Sequence, residues 1–416
     1  MLTTDLPCLV RYTNEENGIT ARVPFRMITN LLLWDSSTIC SEESVARAND
    51  YIEAYPLFKQ NLELEIATMP IIDPLMNNGI CLDAEWWYRK EILPREERLS
   101  GLAMEDLDVP RADLSASEKV EFKDLHQFIK RNWISLNANG GLLKNVGLRS
   151  FLPIQGWWEH YSGPTGRFSA TASPVMALPK KMKAYLSPMD EDRGYFSSDL
   201  CNIELRIASA LTGTTQLQEM FHAGTDVHFY NGQWISVQLG LSLDDATTHR
   251  LGKKFVYAVL YGCGDQTLAK SVSEVVGSHI DSTQMATVRA TFMQKYPELE
   301  AVLKPKDLKK LCTPFGDVPI NIDQTVPQRI NLPVQFIASR LFKEIMVSCV
   351  AAVGDDAMMV LPIHDEMVWD MPLAKAELLK STIIETIEAT LSESWPELEV
   401  TGIVEFSRLG SKVTRN

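Results

Sequence analysis

Apolar and polar residues follow two different patterns along this chain, which together predict a mixture of strands and helices. Residues 194–200 (GYFSSDL) predict a short strand, and residues 358–370 (MMVLPIHDEMVWD) predict two short strands joined at His364 and Asp365. Helical patterns occur at 202–211, over most of 214–311, and at 331–351 and 373–394. These elements predict an α+β fold in which a small antiparallel sheet is flanked by helical lobes.

The remaining segments are less regular. Residues 1–60 combine polar turns with one apolar helix candidate at 27–34, and residues 84–136 are predicted as charged amphipathic helices broken by Pro94 and Pro110. Further strand, hairpin or loop candidates lie at 157–161, 312–326 and 398–406.

Composition and charge narrow the functional classes. The chain has 416 residues, enough for two to three packed subdomains, and its net charge of −14 argues against non-specific coating of nucleic acid. A local basic groove on an acidic body remains compatible with that charge. Lysines that would suit such a groove, or equally a solvated surface, are Lys180, Lys181, Lys183, Lys304, Lys306, Lys309 and Lys310.

The cysteines and the apolar runs indicate where the protein acts. Seven cysteines are scattered without a CxxC pair, which is typical of a reducing compartment rather than of a disulfide framework. No apolar run reaches the roughly 18 residues of a membrane-spanning helix, and the first residues do not resemble a targeting peptide. We expect an intracellular protein, in the cytoplasm or nucleoid (the host cytoplasm if it is viral), with no membrane partner.

A stripe of cationic and aromatic residues runs through HRLGKKFVYAVLYG. His249, Lys253, Tyr257 and Tyr261 are spaced four residues apart, so on a helix they form one slowly winding row. Cations at the positive end of a helix dipole suit an anion such as a polyphosphate, and the rings beyond them suit a flat group. The stripe therefore indicates a nucleotide site. Taken alone, it is better explained by a solvated basic face and tyrosines packed in a core.

Two acids are bracketed by apolar strand residues. Asp199 falls at a strand-to-helix junction and Asp365 lies between two strands, with Glu204 and Glu366 close to them in sequence. Two such carboxylates on one sheet would bind hard divalent cations that also bridge phosphates. In the simpler interpretation Asp199 caps a helix and Asp365 lies in a hairpin turn. Sequence spacing does not show whether the two acids meet.

Taken in order, these segments resemble the motifs of family A DNA polymerases. The resemblance covers roughly residues 61–410. The segments that carry it are LELEIATMPIIDPLMNNGICLD, TGRFSAT, SSDLCNIELR, GTDVH, HRLGKKFVYAVLYG, RINLPVQ and IHDE. It implies a right-hand polymerase fold with a palm, helical fingers and a short helical thumb, acting on primer–template DNA and deoxynucleoside triphosphates (dNTPs).

The resemblance implies roles for the two aspartates and their neighbours. Asp199 and Asp365 would bind two Mg²⁺ ions, or Mn²⁺ in their place, with the backbone carbonyl of Leu200 as a further ligand. Glu366 would act beside them in catalysis, and His364 would flank the metal and contact the primer end.

It also implies a nucleotide site on the fingers. Lys253 would contact the triphosphate and protonate the leaving pyrophosphate, and His228 would touch the triphosphate. Tyr261 would stack near the templating base, and Tyr257 would lie under the incoming sugar. Glu204 would exclude a ribose 2′-hydroxyl, which favours DNA synthesis over RNA synthesis. Side chains implied to contact the duplex minor groove, where acceptors are nearly independent of sequence, are Arg167, Asn331 and Gln335.

The chain departs from the family pattern at several positions. His249 stands where the family has an arginine, and Arg250 beside it is turned by about 100° from the stripe. Both are candidates for dNTP binding. The usual Pro-Asn-Leu is Pro-Val-Met at 174–176, and the middle of the first palm motif is Leu-Cys-Asn at 200–202. These changes indicate a divergent, phage-like member.

By this resemblance we predict an N-terminal segment over 1–60, thumb and palm approach over 61–150, palm over 151–215, fingers over 216–330, and second palm part over 331–416. Residues 1–60 are too short for a 3′–5′ exonuclease domain of about 150–200 residues. We therefore expect a DNA polymerase without intrinsic proofreading: either the protein lacks an exonuclease, or the exonuclease is on another chain, or it has been removed from this one. A separate exonuclease or processivity subunit is a candidate partner. Two alternatives are a single-subunit RNA polymerase and a non-catalytic nucleic-acid-binding subunit of the same fold.

Overall fold

The computed structural model describes residues 1–6, 9–14, 16–24, 27–28, 40–54, 56–75, 80–102, 113–124, 127, 151–154, 157–162, 165–171, 183–300, 310–319 and 326–410. Most of the helix candidate at 27–34 lies outside these residues, as do Pro110 and residues 174–176. Of the seven lysines that would suit a groove, only Lys183 and Lys310 are described.

The first part of the chain is a small antiparallel sheet backed by helices. Strands β1 (Leu2–Leu6), β2 (Leu9–Asn14) and β3 (Ile19–Pro24) pair in sequence order, and helices α1 (Glu42–Ala54) and α2 (Pro56–Ile72) follow. Val10 and Tyr12 of β2 are buried in a separate apolar cluster. This sheet was not predicted from the sequence, because strands of five or six residues with polar outward faces resemble a series of turns.

The next segment joins a strand to a helix of changing pitch. Strand β4 (Ile80–Asp83) leads into α3 (Ala84–Trp87), a π-helical turn at Tyr88–Ile92, and α4 (Leu93–Leu102). Pro94 is the second residue of α4, directly after the π-helical turn, and it has no N–H to donate to the helical carbonyls before it. The predicted break at Pro94 is nevertheless wrong: the helical course continues, with a change of pitch just before the proline. Strand β5 (Phe151–Ile154) pairs with β4, and β6 (Trp157–Ser162) pairs with β7 (Arg167–Thr171).

A four-stranded antiparallel sheet carries both predicted acid motifs. Strand β8 (Arg193–Leu200) and helix α5 (Ile203–Thr212) confirm the predicted strand-to-helix junction at Asp199. Five helices follow, namely α6 (Thr215–His222), α7 (Val227–Leu239), α8 (Asp245–Leu260), α9 (Asp265–Val276) and α10 (Ser282–Lys295). We call α6–α10 the helical lobe.

The last third of the chain completes the sheet. The hairpin β9 (Lys310–Thr313) and β10 (Gly316–Pro319) precedes the long helix α11 (Val326–Val353), the strands β11 (Met358–Ile363) and β12 (Glu366–Pro372), helix α12 (Ala376–Ser394) and strand β13 (Val404–Arg408). The sheet order is β11-β12-β8-β13, so β8 lies between strands that are distant in sequence. The predicted α+β fold is confirmed. No helix within the described residues is long and apolar enough to cross a membrane.

The helices α7 and α8 cross in direct backbone contact. Both have glycine at the crossing point, Gly232 on α7 and Gly252 on α8. A Cβ added at Gly252 would lie 1.9 Å from the carbonyl oxygen of His228, and one at Gly232 would lie 2.0 Å from that of Thr248. Only glycine allows this approach, which brings His228 close to the stripe on α8.

Candidate active site

Asp199 lies within an acidic edge of the four-stranded sheet. In the strand register it is directly opposite Glu366 on β12 and Glu405 on β13. Asp365 lies in the two-residue turn between β11 and β12, and its carbonyl oxygen accepts a hydrogen bond of 3.1 Å from the Leu200 N–H. The two predicted acids are thus brought to the same edge, which sequence spacing left open.

The turn that holds Asp365 has a left-handed residue. His364 has φ 54°, a conformation that costs a residue with a side chain some free energy. Two-residue hairpins require positive φ because only such turns match the twist of the flanking strands. The tight turn therefore fixes where Asp365 lies relative to β8.

Burial and repulsion among these carboxylates disfavour their charged forms. Desolvation, followed by the charges of Asp365, Glu366 and Glu405, raises the pKa of Asp199 to about 7. Desolvation also raises the pKa of Asp365. A divalent cation would relieve both effects, because it offsets the desolvation and neutralises the repulsion.

Glu366 is held by a lysine and a serine. Lys183 Nζ donates to its Oε2 at 2.7 Å, and Ser197 Oγ donates to its Oε1 at 2.7 Å. Lys183 was predicted only as a surface or groove residue, and no role was predicted for Glu405. Neither Lys183 nor Glu405 can be recognised from the sequence around it, because Lys183 is 183 residues from Glu366 and Glu405 is 206 residues from Asp199.

A cavity of about 340 Å³ opens beside the acidic edge. It is lined by Asp365 and His364 from the hairpin turn, Glu204 from α5, and Lys253 and Tyr257 from α8. Its remaining lining residues are Arg167, Phe168, Ile203, Ala338, Ser339, Phe342 and Pro362. Six of the predicted site residues, from four separate segments of the sequence, therefore surround one space.

Glu204 and Arg167 form an ion pair within this cavity. Burial raises the pKa of Glu204, although the neighbouring guanidinium opposes that shift. The pair fixes the carboxylate at the cavity wall, because a charge-assisted hydrogen bond from the guanidinium restricts the geometry of its partner.

The stripe on α8 faces the cavity at its centre. The Tyr257 and Tyr261 ring centroids are 5.9 Å apart, and the His228 ring lies 5.5 Å from that of Tyr257. Tyr257 is held neutral because burial and the charges of Glu204 and Asp365 raise the pKa of its phenol. Lys253 is exposed at the same wall.

The two other cation candidates of α8 are engaged in local contacts. His249 is 41% exposed and its Nε2 lies 3.6 Å from Oδ2 of Asp226, the residue that caps α7. Arg250 donates to Thr247 Oγ1 at 2.9 Å. Neither His249 nor Arg250 is among the residues that line the cavity.

His228 is buried, with 3% of its surface exposed, and its Nε2 lies 2.6 Å from Oδ1 of Asn202. Asn202 precedes α5 in a left-handed conformation, with φ 58°. Burial, then the charges of Lys253 and His249, lowers the pKa of His228 to about 4. The imidazole is therefore neutral at physiological pH.

We expect this neutral histidine to destabilise the fold in acid. An unfolded histidine titrates near pH 6.5, so between about pH 6.5 and 4 the unfolded chain binds a proton that the folded chain excludes. The free energy of unfolding should fall by up to about 3 kcal/mol across that window on this account. Denaturant unfolding at pH 7 and pH 4.5 should show a smaller fall in His228→Gln than in the parent chain. The exposed His279→Gln should retain the full fall; equal falls in all three proteins would contradict the assignment.

Asn331 and Gln335 lie half-buried on the N-terminal part of α11, one to two turns before the cavity-lining Ala338 and Ser339. They are outside the cavity lining, on the same helix. Their predicted contact with a DNA duplex stays a prediction.

Arg206, in the motif SSDLCNIELR, is a structural cation for which the sequence predicts no role. Its buried guanidinium donates to the carbonyl oxygens of Cys201, Glu399 and Thr401, at 2.7 to 3.1 Å. It ties the turn after Asp199 to the chain that leads into β13. It therefore supports the strand pairing that brings Glu405 to the acidic edge.

No three His, Cys, Asp or Glu side chains form a ready-made metal centre among the described residues. The donor set still fits Mg²⁺, because that ion is commonly held by one or two carboxylates together with water and substrate phosphates. Asp199 and Asp365 supply carboxylates of this kind, and their raised pKa values reflect burial and, for Asp199, the neighbouring carboxylate charges as well.

Part of the chain is similar in sequence to known DNA polymerases. The family model described as DNA polymerase family A matches residues 140–309. The thermostable DNA polymerase I of Thermus filiformis is 26% identical over 248 residues, covering 54% of this chain and 29% of that protein. DNA polymerase I of Streptococcus pneumoniae (strain TIGR4) is 25% identical over 260 residues, covering 56% and 28%. The chain thus spans less than a third of the length of the curated relatives it matches.

The fold is similar to that of a solved polymerase domain. The solved POL domain of Pol1 from M. smegmatis, in complex with DNA primer–template and dNTP, matches with a TM-score of 0.62 and 15% identity. The match covers 83% of this chain and 69% of that one. The likeness shows that the two share a polymerase-domain fold. The family match, the curated relatives and the shared fold together show that the chain is similar to DNA polymerases of family A.

Proposed function

We propose that the chain is a template-directed DNA polymerase that adds dNTPs to the 3′-hydroxyl of a primer. The observation that carries the proposal is the convergence around one cavity of Asp365, Glu204 and the α8 residues Lys253 and Tyr257. Acid groups face cationic and aromatic groups across this space. Such an arrangement suits a nucleoside triphosphate whose phosphates lie between divalent cations and Lys253.

Asp199 and Asp365 would hold two Mg²⁺ ions, and the backbone carbonyl of Leu200 is the proposed further ligand. When bound, these ions supply charge stabilisation at the attacking and leaving oxygens of an in-line phosphoryl transfer. Lys183 and Ser197 keep Glu366 beside these acids in a fixed orientation. Exposed Lys253 would neutralise negative charge that develops on the leaving pyrophosphate and donate a proton to it.

Other cavity residues would position the nucleotide. Tyr257 would lie under the sugar, and Glu204, held by Arg167, would occupy the space that a ribose 2′-hydroxyl needs. His228 would reach the triphosphate only after its contact with Asn202 is broken. On the same helix, the end near the template would carry Tyr261, and the end near the phosphates would carry His249 and Arg250. The primer–template would be contacted by Asn331, Gln335 and His364. A separate exonuclease or processivity partner is part of the proposal.

Primer extension with dNTPs or with ribonucleoside triphosphates (rNTPs) tests this function. We expect extension with dNTPs, and Glu204→Ala should lower the preference for dNTPs over rNTPs about tenfold or more, since a pocket without a blocking group rejects an added hydroxyl poorly. The exposed Glu219→Ala is the matched control and should keep the preference. Ribonucleotide preference in the unaltered chain would indicate an RNA polymerase. Binding of DNA without any extension would indicate a non-catalytic subunit.

A further inference from the structure

A buried ion pair lies behind the cavity, apart from the acidic edge. Lys343 on α11 is 1% exposed and Glu65 on α2 is 3% exposed, and the ammonium group contacts Oε1 of the carboxylate. Burying two charges is costly unless each is well hydrogen-bonded. Burial accordingly lowers the pKa of Lys343 and raises that of Glu65 to about 7, and each charge opposes the shift of the other.

The ammonium group also binds the backbone on both sides of the turn between β6 and β7. Nζ of Lys343 donates to the carbonyl oxygen of Gly166 at 2.6 Å and to that of His160 at 3.0 Å. With Glu65 as the third acceptor, all three ammonium hydrogens have partners. The Gly166 oxygen accepts a second hydrogen bond, of 2.8 Å, from Ser339 Oγ.

This turn leads directly into the cavity. Gly166 has φ +66°, a left-handed conformation, and the next residue, Arg167, forms the ion pair with Glu204. The Phe168 ring lines the cavity on one side and lies 4.7 Å from the Lys343 ammonium group on the other. Lys343 therefore contacts the residues on both sides of Arg167, although it does not line the cavity itself.

We propose that Lys343, anchored by Glu65, is a positioning residue that fixes the 165–167 turn and so holds Arg167 against Glu204 at the nucleotide cavity. The pair links α2, the β6–β7 turn and α11. The positions of Arg167 and Glu204 in the cavity wall therefore depend on a contact with α2, a helix that lies outside the cavity. The expected effect on kinetics rests on the proposed function, whereas the expected effect on the structure of the turn rests on geometry alone.

The kinetic test compares Lys343→Met, which keeps the side-chain length without the charge, with the unaltered chain. We expect at least a tenfold loss in kcat/KM for dNTPs, mostly through KM, and a loss of discrimination against rNTPs. The double variant Lys343→Met/Arg167→Ala should discriminate no worse than Arg167→Ala alone, because both changes release the same carboxylate. Lys375→Met, which removes an exposed ion pair with Asp356, is the control and should change neither value.

Hydrogen exchange provides a readout that does not depend on activity. In Lys343→Met, amide exchange in peptides covering 158–171 should rise at least tenfold, while exchange in β11 and β12 stays unchanged. If the protein fails to fold, the milder Glu65→Gln, which keeps an oxygen acceptor for Lys343, should show the same pattern to a smaller extent. Unchanged exchange at 158–171 overturns the proposal. If amide exchange rises but the discrimination against rNTPs is unchanged, the proposed link from Lys343 to Glu204 is overturned. If the unaltered chain extends no primer, the proposed function is wrong. The exchange result still tests whether Lys343 fixes the 165–167 turn.

Discussion

Asp199→Asn is expected to lower the rate of nucleotide addition about a thousandfold or more, corresponding to the several kcal/mol of transition-state stabilisation that metal-held charge supplies. Asparagine keeps the size of the side chain and one oxygen but loses the charge that would hold the cation. The measurement is single-turnover addition of one nucleotide with saturating primer–template. Affinity for DNA, measured in the same samples without dNTP, should change little.

The stability of this variant separates chemistry from misfolding. Burial and the facing carboxylates raise the pKa of Asp199 to about 7, so above that pH the metal-free folded chain holds a charge that it disfavours. Asp199→Asn should therefore unfold at the same or a higher temperature than the unaltered chain in EDTA at pH 8. Asp190→Asn, exposed in the turn before β8, is the control and should keep full activity. Near-normal activity in Asp199→Asn would mean that the acidic edge is not the catalytic centre.

Gly252→Ala is expected to lower the free energy of unfolding by about 3 kcal/mol, the upper range for overpacking a tightly packed site. The added methyl carbon would lie 1.9 Å from the His228 carbonyl oxygen and 2.7 Å from the Gly232 nitrogen. Both neighbours are backbone atoms, so a side-chain rotation does not relieve the overlap, and α7 and α8 must move apart. Denaturant unfolding measures the loss.

The same separation should weaken nucleotide binding. Since α8 carries Lys253 and Tyr257 and α7 carries His228, KM for dNTPs should rise several-fold. Gly101→Ala is the matched control, because Gly101 lies near the end of α4 with nothing within 4 Å of an added Cβ. That change should leave stability the same or slightly higher, as expected for alanine in a helix. A loss in Gly252→Ala no greater than in Gly101→Ala would show that the close crossing is not required.

Local patterns in the sequence were sufficient to predict the elements that carry the acids. The β11–β12 hairpin was predictable because His364 and Asp365 separate two apolar strands, and the β8–α5 junction because the period changes next to Asp199. The stripe on α8 was predictable for the same reason, since four-residue spacing defines one face of a helix.

Contacts between distant segments were not predictable in this way. The placement of Glu405 opposite Asp199 depends on strand register, and a shift of one residue would turn its side chain to the other face of the sheet. Gly252 within a helical pattern indicates a weak position and not a backbone crossing. Lys343 in α11 has the sequence context of an exposed cation, yet it is buried because its partners come from α2 and the β6–β7 turn.

The most direct measurement of the central claim is addition of a single nucleotide to one primer on four templates that differ only in the first unpaired base. The proposed function predicts that, with Mg²⁺ present, each template directs addition of its complementary dNTP with a large excess over the other three. Addition that does not follow the template base, or no addition on any template, would contradict it.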